Sequence, residues 1–482
     1  MTGSVLLTTI RGAILLSIAT VFAVSLVSSV LDDRRLPLMG PSDTNRDRGV
    51  RVLLTDRRTY DQRVDIVPHH ERVPITILRP AWLVAPDQSD DPQYTLKLDR
   101  GDQILIRPDV DGLVFSSPTW DQDRRWPVSA LRIIPQWTTL AETNQDDHPG
   151  RWPVGRFEDS TKEAVFSLGA RRYRGGLEVR FQNSKQLQAI NILPIEAYVA
   201  GVIAIEMKES FPLEALKAQA IASRSYTYAK AWQAALAKQS FDLTDALEGQ
   251  DYHGHGLGGE STERAVRETA GQILVTPRLR RPFVPHFCAA NGGWTEAVEA
   301  VFPHSKDVTG QESVADLMPV QRDPFSEKGA LALRYLSTHG EQQIVIEAKD
   351  LQERLQAWVK ENGDSTTVIG YITDLAIGSR EPKSQRVRSV IISYVPLKRL
   401  EIAAHDLRTI LGPYRLRSTL WTSLEAHVRT GERRVKDWIV VLRGYGHGVG
   451  MSQISAWAMA KEGFTGTQIL QTFYPGAEIV GW

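Results

Sequence analysis

Short apolar runs rich in β-branched residues recur through the first part of the chain, at 50–54, 73–78, 94–98, 103–106, 131–134 and 177–181. Gly, Pro and Asp punctuate them, so the stretch 49–190 reads as largely β, with loops at 87–92 and 143–153. The pattern then changes period. Residues 194–207 read as a helix on which Ile195, Val199, Val202 and Glu206 share one stripe. A second helix is expected over 210–238, with Ser210 as its cap and Pro212 and Glu214 in its first turn. Leu213, Leu216, Ala220, Thr227 and Ala231 form its inward stripe. Further helices are expected at 261–270, 351–360 and 452–461, the last stopped by Gly463, and strands at 273–275, 283–288, 389–395 and 438–442. Helices and strands do not alternate regularly, which points to an α+β fold of short strands around a central helix pair.

Residues 12–31 form an uncharged run of 20 residues between Arg11 and Asp32-Asp33-Arg34-Arg35. That length can span a bilayer once, and a secretory signal peptide usually has a shorter apolar core. The chain is therefore divided into an N-terminal membrane anchor or signal peptide (1–31), a linker (32–48), a β-rich part (49–190) and a core (191–482). Lys plus Arg and Asp plus Glu balance at 57 each, so no overall field draws the chain to nucleic acid. Cys288 is the only cysteine, which excludes an intramolecular disulfide and any multi-cysteine metal site.

The chemistry concentrates in two segments. Glu206 ends the apolar stripe of its helix, where lost hydration raises a carboxylate pKa toward the range useful for acid catalysis; the plain alternative is a surface ion pair with Lys208. The loop Gly444-Tyr445-Gly446-His447-Gly448-Val449-Gly450 is costly backbone to order, tolerated where something must approach closely. It lacks the Gly-Lys-Ser/Thr ending of a phosphate loop, so nucleotide binding is a poor reading. Arg224, in a segment rich in Ala and Leu, needs an anionic or carbonyl partner: Glu206 or another carboxylate for structure, or substrate. Tyr226 on the same helix either packs or binds. His253, His255, His286, Cys288 and His304 raise the question of a zinc site, against the reading that they are ordinary loop and core residues.

Together these segments resemble the SpoIID/LytB family of bacterial cell-wall proteins. The likeness rests on Leu193-Pro194, Glu196, Tyr198-Val199, Gly201-Val202 and Glu206-Met207, on the phrase 213–226, and on Gly292-Gly293-Trp294-Thr295-Glu296. It continues through Leu407-Arg408, Leu411-Gly412, Leu416-Arg417-Ser418-Thr419, the Gly-His-Gly loop and the closing Phe473-Tyr474-Pro475-Gly476. The resemblance implies a peptidoglycan lytic transglycosylase with Glu206 as its catalytic carboxylate. Arg224, Tyr226, His447 and Gln453 would contact substrate, and no cofactor or metal is required. It also implies an exported body at the cell envelope, with glycan strands as ligand and a cell-wall amidase as a further partner. The rival reading from the same family is a non-catalytic amidase enhancer. Some members bind zinc just before the Gly-Gly pair, where this chain offers Cys288 and Asn291 in place of a full ligand set. Two departures stand out: Ile454-Ser455-Ala456 replaces an aromatic-Gly-Ala phrase, and Phe473 stands where Tyr is usual. A side chain added at Gly448 is expected to fill space that a sugar needs.

Overall fold

The computed structural model describes residues 49–481, apart from 61–62, 68, 89–90, 137–162, 246–249, 304, 334–340, 363–365 and 428–434. The apolar run 12–31 lies outside the described residues. Among the described residues no helix is long and apolar enough to cross a membrane.

The β-rich part forms two large sheets and a two-stranded one, Asp56–Tyr60 with Arg63–Val67. A seven-stranded sheet runs in the order Leu243–Thr244, Val50–Leu54, Gln186–Leu193, Gly176–Asn183, Ala130–Pro135, Ala81–Val84, Thr95–Leu98. A six-stranded sheet runs Arg171–Tyr173, Phe166–Leu168, Val73–Ile77, Gln103–Asp109, Gly112–Ser116, Arg124–Trp126. Period-2 patterning decides which side chains go inward: Val73, Ile75 and Ile77 are buried while Pro74 is exposed. Residues of both large sheets share one hydrophobic core with the helices that follow.

Those helices are α1 (Ile195–Glu206), α2 (Leu213–Leu236) and α3 (Glu260–Glu268). Ser210 does not cap α2. Pro212, in extended conformation, stands immediately before the first helical residue, and no side chain caps it. The linker instead serves α3: the Glu209 carboxylate accepts from the backbone N–H groups of Gly259, Ser261 and Thr262, at 3.0, 2.6 and 3.2 Å. The expected strand at 283–288 shrinks to Phe287–Cys288, because Pro282 and Pro285 have no N–H to give a ladder.

Short helix α4 (Val298–Val301) and α5 (Phe325–Leu333) follow. A second hydrophobic core then forms within 346–442. It comprises the sheets Glu341–Glu347, Asp437–Arg443, Leu420–His427 and Ile372–Arg380, Val387–Tyr394, Lys398–Ala403, with α6 (Ala348–Glu361) and α7 (Ala404–Leu411). Strand Asp437–Arg443 runs straight into the Gly-His-Gly loop, which returns the chain to the first core. There α8 (Gln453–Lys461) and α9 (Gly466–Phe473) pack against α2. The fold is thus α+β, with short strands and several helices.

Candidate active site

Glu206 is the last residue of α1 and remains partly exposed. Two donors are aimed at its carboxyl oxygens. Gln453 Nε2 donates to Oε2 at 3.0 Å, and the backbone N–H of Asp251 donates to Oε1 at 3.3 Å. Burial among apolar neighbours strips hydration from the carboxylate and, with the nearby negative charge of Asp251, lifts its pKa to about 7; the two hydrogen bonds pull the other way. Crowding therefore dominates even though one edge of the group meets solvent. A carboxyl group poised there is part protonated at neutral pH.

Each partner is held by its own scaffold. Asp251 precedes Tyr252, whose hydroxyl donates to Asn191 Oδ1 at 2.9 Å, while the Asn191 amide donates to the carbonyls of Arg174 and Gly176. The Tyr252 ring lies on α1 at Gly201, where a Cβ would come within 2.6 Å of it; this close approach explains a glycine inside the helix. Gln453 opens α8 and is 5% exposed. Behind it, Ser455 donates to Asp323 at 2.6 Å, and Asp323 also accepts from Asn291 at 2.7 Å. Asp251 was not singled out from sequence. Its signal was the sidedness of Gly201 together with the glycine-rich stretch 252–259 that must lie against it.

Comparison with known proteins finds matches over the same part of the chain. Residues 183–275, which include α1, α2 and Asp251, match the Stage II sporulation protein (SpoIID) family. Stage II sporulation protein D of Bacillus subtilis is 29% identical over 309 residues, covering 61% of this chain and 76% of that one. The B. subtilis protein named Amidase enhancer is 25% identical over 304 residues, 58% of this chain and 40% of its own length. An uncharacterized protein of Brachyspira hyodysenteriae is 29% identical over 322 residues, 66% and 74% of the two chains. The SpoIID match over 183–275 and the named relatives support the likeness of the chain to the SpoIID/LytB family.

Its departures from the family pattern have local explanations. Ser455 is the fully buried donor to Asp323, so the altered phrase after Gln453 anchors the start of α8. Phe473 is 1% exposed, and the neighbouring Tyr474 hydroxyl donates to the His286 carbonyl at 2.7 Å.

The expected site residues separate into three places. Glu206 and Gln453 are in contact, but Gln453 points at the acid and not outward toward a sugar. Arg224 goes elsewhere. It is fully buried and forms a two-pronged pair with Glu196, Nε to Oε1 at 2.8 Å and Nη2 to Oε2 at 2.5 Å. Its remaining donors reach the carbonyls of Ala220, Val266 and Gln272. Glu196 begins α1, ten residues before Glu206, or about 15 Å along the axis. Arg224 therefore fastens the far end of α1 to α2 and α3 and is fully buried, away from the surface on which substrate contact was expected.

Tyr226 and His447 both flank His286, whose ring centroid lies 6.4 Å from Tyr226 and 5.8 Å from His447. His447 Nδ1 accepts from the Val449 N–H at 3.0 Å, which leaves its proton on Nε2. Burial and the neighbouring His286 hold His447 well below the usual histidine range, so it is a neutral imidazole. His286 stacks on Phe302 at 3.7 Å, and burial drops its pKa to about 3. Burial pushes the Cys288 thiol up to about 11, which makes it inert. His253 and His255 lie on the glycine-rich stretch 252–259, His255 near Arg172 and Arg174, and His304 lies outside the described residues. Among the described residues no group of three or more His, Cys, Asp or Glu could hold a metal. Asn291, at the family's zinc phrase, spends its amide on Asp323 and the Gly293 N–H.

The glycine loop admits protein, not sugar, at its centre. Gly448 has φ +82°, and a Cβ there would meet the Arg386 guanidinium at 2.5 Å. Arg386 is wholly buried, donating to the carbonyls of Asn291 and Trp294 and to the hydroxyls of Ser418 and Thr419. It ties the second core to the loop and to the Gly292-Gly293 turn. Replacing Gly448 with Val is therefore expected to destabilise the fold by about 2–4 kcal/mol, from the left-handed backbone and the overpacking together. Chemical denaturation checks this; a variant of unchanged stability that has lost glycan binding would return the position to the substrate surface.

Proposed function

We propose that the chain is a cell-envelope enzyme that cuts peptidoglycan glycan strands by lytic transglycosylation, with Glu206 as acid and then base. The observation that carries this reading is the carboxyl group at the family's catalytic position, partly exposed, lifted to a pKa of about 7 and held between two donors. In the first step protonated Glu206 gives its proton to the glycosidic oxygen as the bond from that oxygen to C1 breaks. In the second, carboxylate Glu206 takes the proton of the sugar's own C6 hydroxyl as O6 bonds to C1. The product is a 1,6-anhydro end; water is neither consumed nor needed, and the acid returns to its starting state.

Gln453 suits both states. An amide can donate its NH₂ to a carboxylate or, turned over, accept the O–H of a carboxylic acid through its carbonyl. Removing it by Gln453→Met takes away the side-chain bond that lowers the Glu206 pKa. The alkaline limb of the rate profile should then move to higher pH. Turnover should fall about tenfold or more, since a hydrogen bond to a charged group is worth ~1.5–3 kcal/mol. A pH–rate profile that does not move would detach Gln453 from the titration of Glu206.

The resemblance to the protein named Amidase enhancer supports a second reading, in which the same body binds wall polymer or a hydrolase and cuts nothing. Digestion of purified peptidoglycan, with and without stem peptides, separates the two. Release of 1,6-anhydro-muropeptides supports the enzyme, whereas an intact polymer that sediments the protein supports the enhancer. Residues 12–31 would hold the body at the membrane after export. Recovery of full-length chain in a carbonate wash would count against that anchor.

A further inference from the structure

A cleft of about 720 Å³ opens on the β-rich part, away from the contacts of Glu206. Arg79, Arg100 and Arg172 line it together with His255, and Glu163 supplies a carboxylate that pairs with Arg79. The three arginines arrive from separate elements: the end of strand Val73–Ile77, the turn after Thr95–Leu98, and strand Arg171–Tyr173. Arg100 and Arg172 are exposed and have no carboxylate partner among the described residues. Many arginines elsewhere in this part are paired, Arg107 with Asp123, Arg125 with Asp109, Arg132 with Glu178 and Arg174 with Glu263. The whole chain is neutral, so this local excess of positive charge does not follow from composition. Guanidinium groups meet carboxylate and phosphate oxygens with paired N–H donors, and several around one cleft favour an anion over a neutral sugar face.

The cleft is joined to the candidate active site by a single short segment. At one end the Asp251 N–H donates to Glu206, and at the other the His255 N–H donates to the Arg172 carbonyl at 2.7 Å. Four residues span at most about 14 Å, so one polymer strand can reach both places. His255, kept neutral by burial and by Arg174 and Arg172, adds a polar ring without opposing an anion.

We propose that the Arg79–Arg100–Arg172 cleft is an anion subsite that grips carboxylate or phosphate oxygens carried by the wall polymer engaged at Glu206. This rests on the reading of the chain as a wall-glycan protein. The test is co-sedimentation of the full chain, as wild type and as Arg100→Gln/Arg172→Gln, at low and high salt. Three polymers are used: untreated wall glycan, glycan with its carboxylates amidated, and glycan stripped of phosphodiester-linked polymers. The double variant is expected to bind untreated glycan at least tenfold more weakly at low salt, with the gap closing at high salt as charges are screened. If amidation alone closes the gap, the ligand is a carboxylate; if stripping alone does, it is a phosphate. Equal binding of wild type and variant to all three polymers, or no binding by the folded wild type, would overturn the subsite. Anhydro-product analysis runs in parallel. Arginine-dependent binding without anhydro ends sinks the lytic reading and leaves the cleft, whereas anhydro ends with arginine-independent binding do the reverse.

Discussion

Glu206→Gln is expected to bind wall glycan normally while anhydro-product release falls by 10⁴-fold or slightly more, the upper end of the ~10²–10⁴ typical of general acid–base assistance. The upper end is chosen because one group serves both steps. The same substitution should make the protein more stable at alkaline pH. In the folded chain the Glu206 pKa is about 7 against an ordinary 4.5. Between those values the unfolded chain loses this proton while the native state keeps it. The native state then binds more protons, so stability declines as pH rises through the window and levels off above about 7. Gln does not titrate and escapes this loss. Because Glu206 is partly exposed, the gain of the variant at pH 8 over its gain at pH 4 should be on the order of 1–2 kcal/mol. Denaturant midpoints at the two pH values measure it. A variant with near-normal turnover, or no pH-dependent gain, would leave Glu206 a helix-end carboxylate and favour the enhancer reading.

What could be read in advance was set by local pattern. Strands such as Val50–Leu54 and Val73–Ile77 and helices α1, α2 and α8 appear nearly where alternation and 3.6-residue stripes put them, because both patterns report one buried face. Helix α9 went unread although Thr465 and Gln468 form a capping box in plain sequence. Helices α5 and α7 were missed as well. Of the second core only the helix at 351–360 and the strands at 389–395 and 438–442 were read, and none of their partners, since its strands pair across long sequence gaps: Glu341–Glu347 on Asp437–Arg443, for example. Register of that kind is a tertiary property.

The same division holds at the site. Glu206 was legible because its helix stripe carries its own desolvation. Asp251 was not, because it reaches Glu206 through a backbone N–H placed by its neighbour Tyr252, which is seated on Asn191 and Gly201 of two other segments. Gly448 was misread for a related reason. Glycines mark close approach, but what approaches is Arg386, a residue of the second core that no spacing rule connects to the loop.

Arg224 offers the sharpest contrast between a residue that holds the site and one that touches substrate. Arg224→Met should cost about 3–5 kcal/mol, because it leaves Glu196 a buried carboxylate without its cation. The Gly271 N–H, which donates to Glu196 at 3.0 Å, cannot replace two charged prongs. Loss of activity would accompany this, since Glu196 and Glu206 are the two ends of one helix. The single variant therefore does not discriminate. The pair Arg224→Met/Glu196→Met does: it removes both charges and leaves apolar side chains of similar length among Ala220, Val266 and Thr269, a replacement that is often neutral or stabilising. If Arg224 only fastens α1, the double variant should regain most of its stability and also most of its anhydro-product release, with KM for glycan near that of the parent. If instead the guanidinium contacts the strand, stability will return while KM stays high.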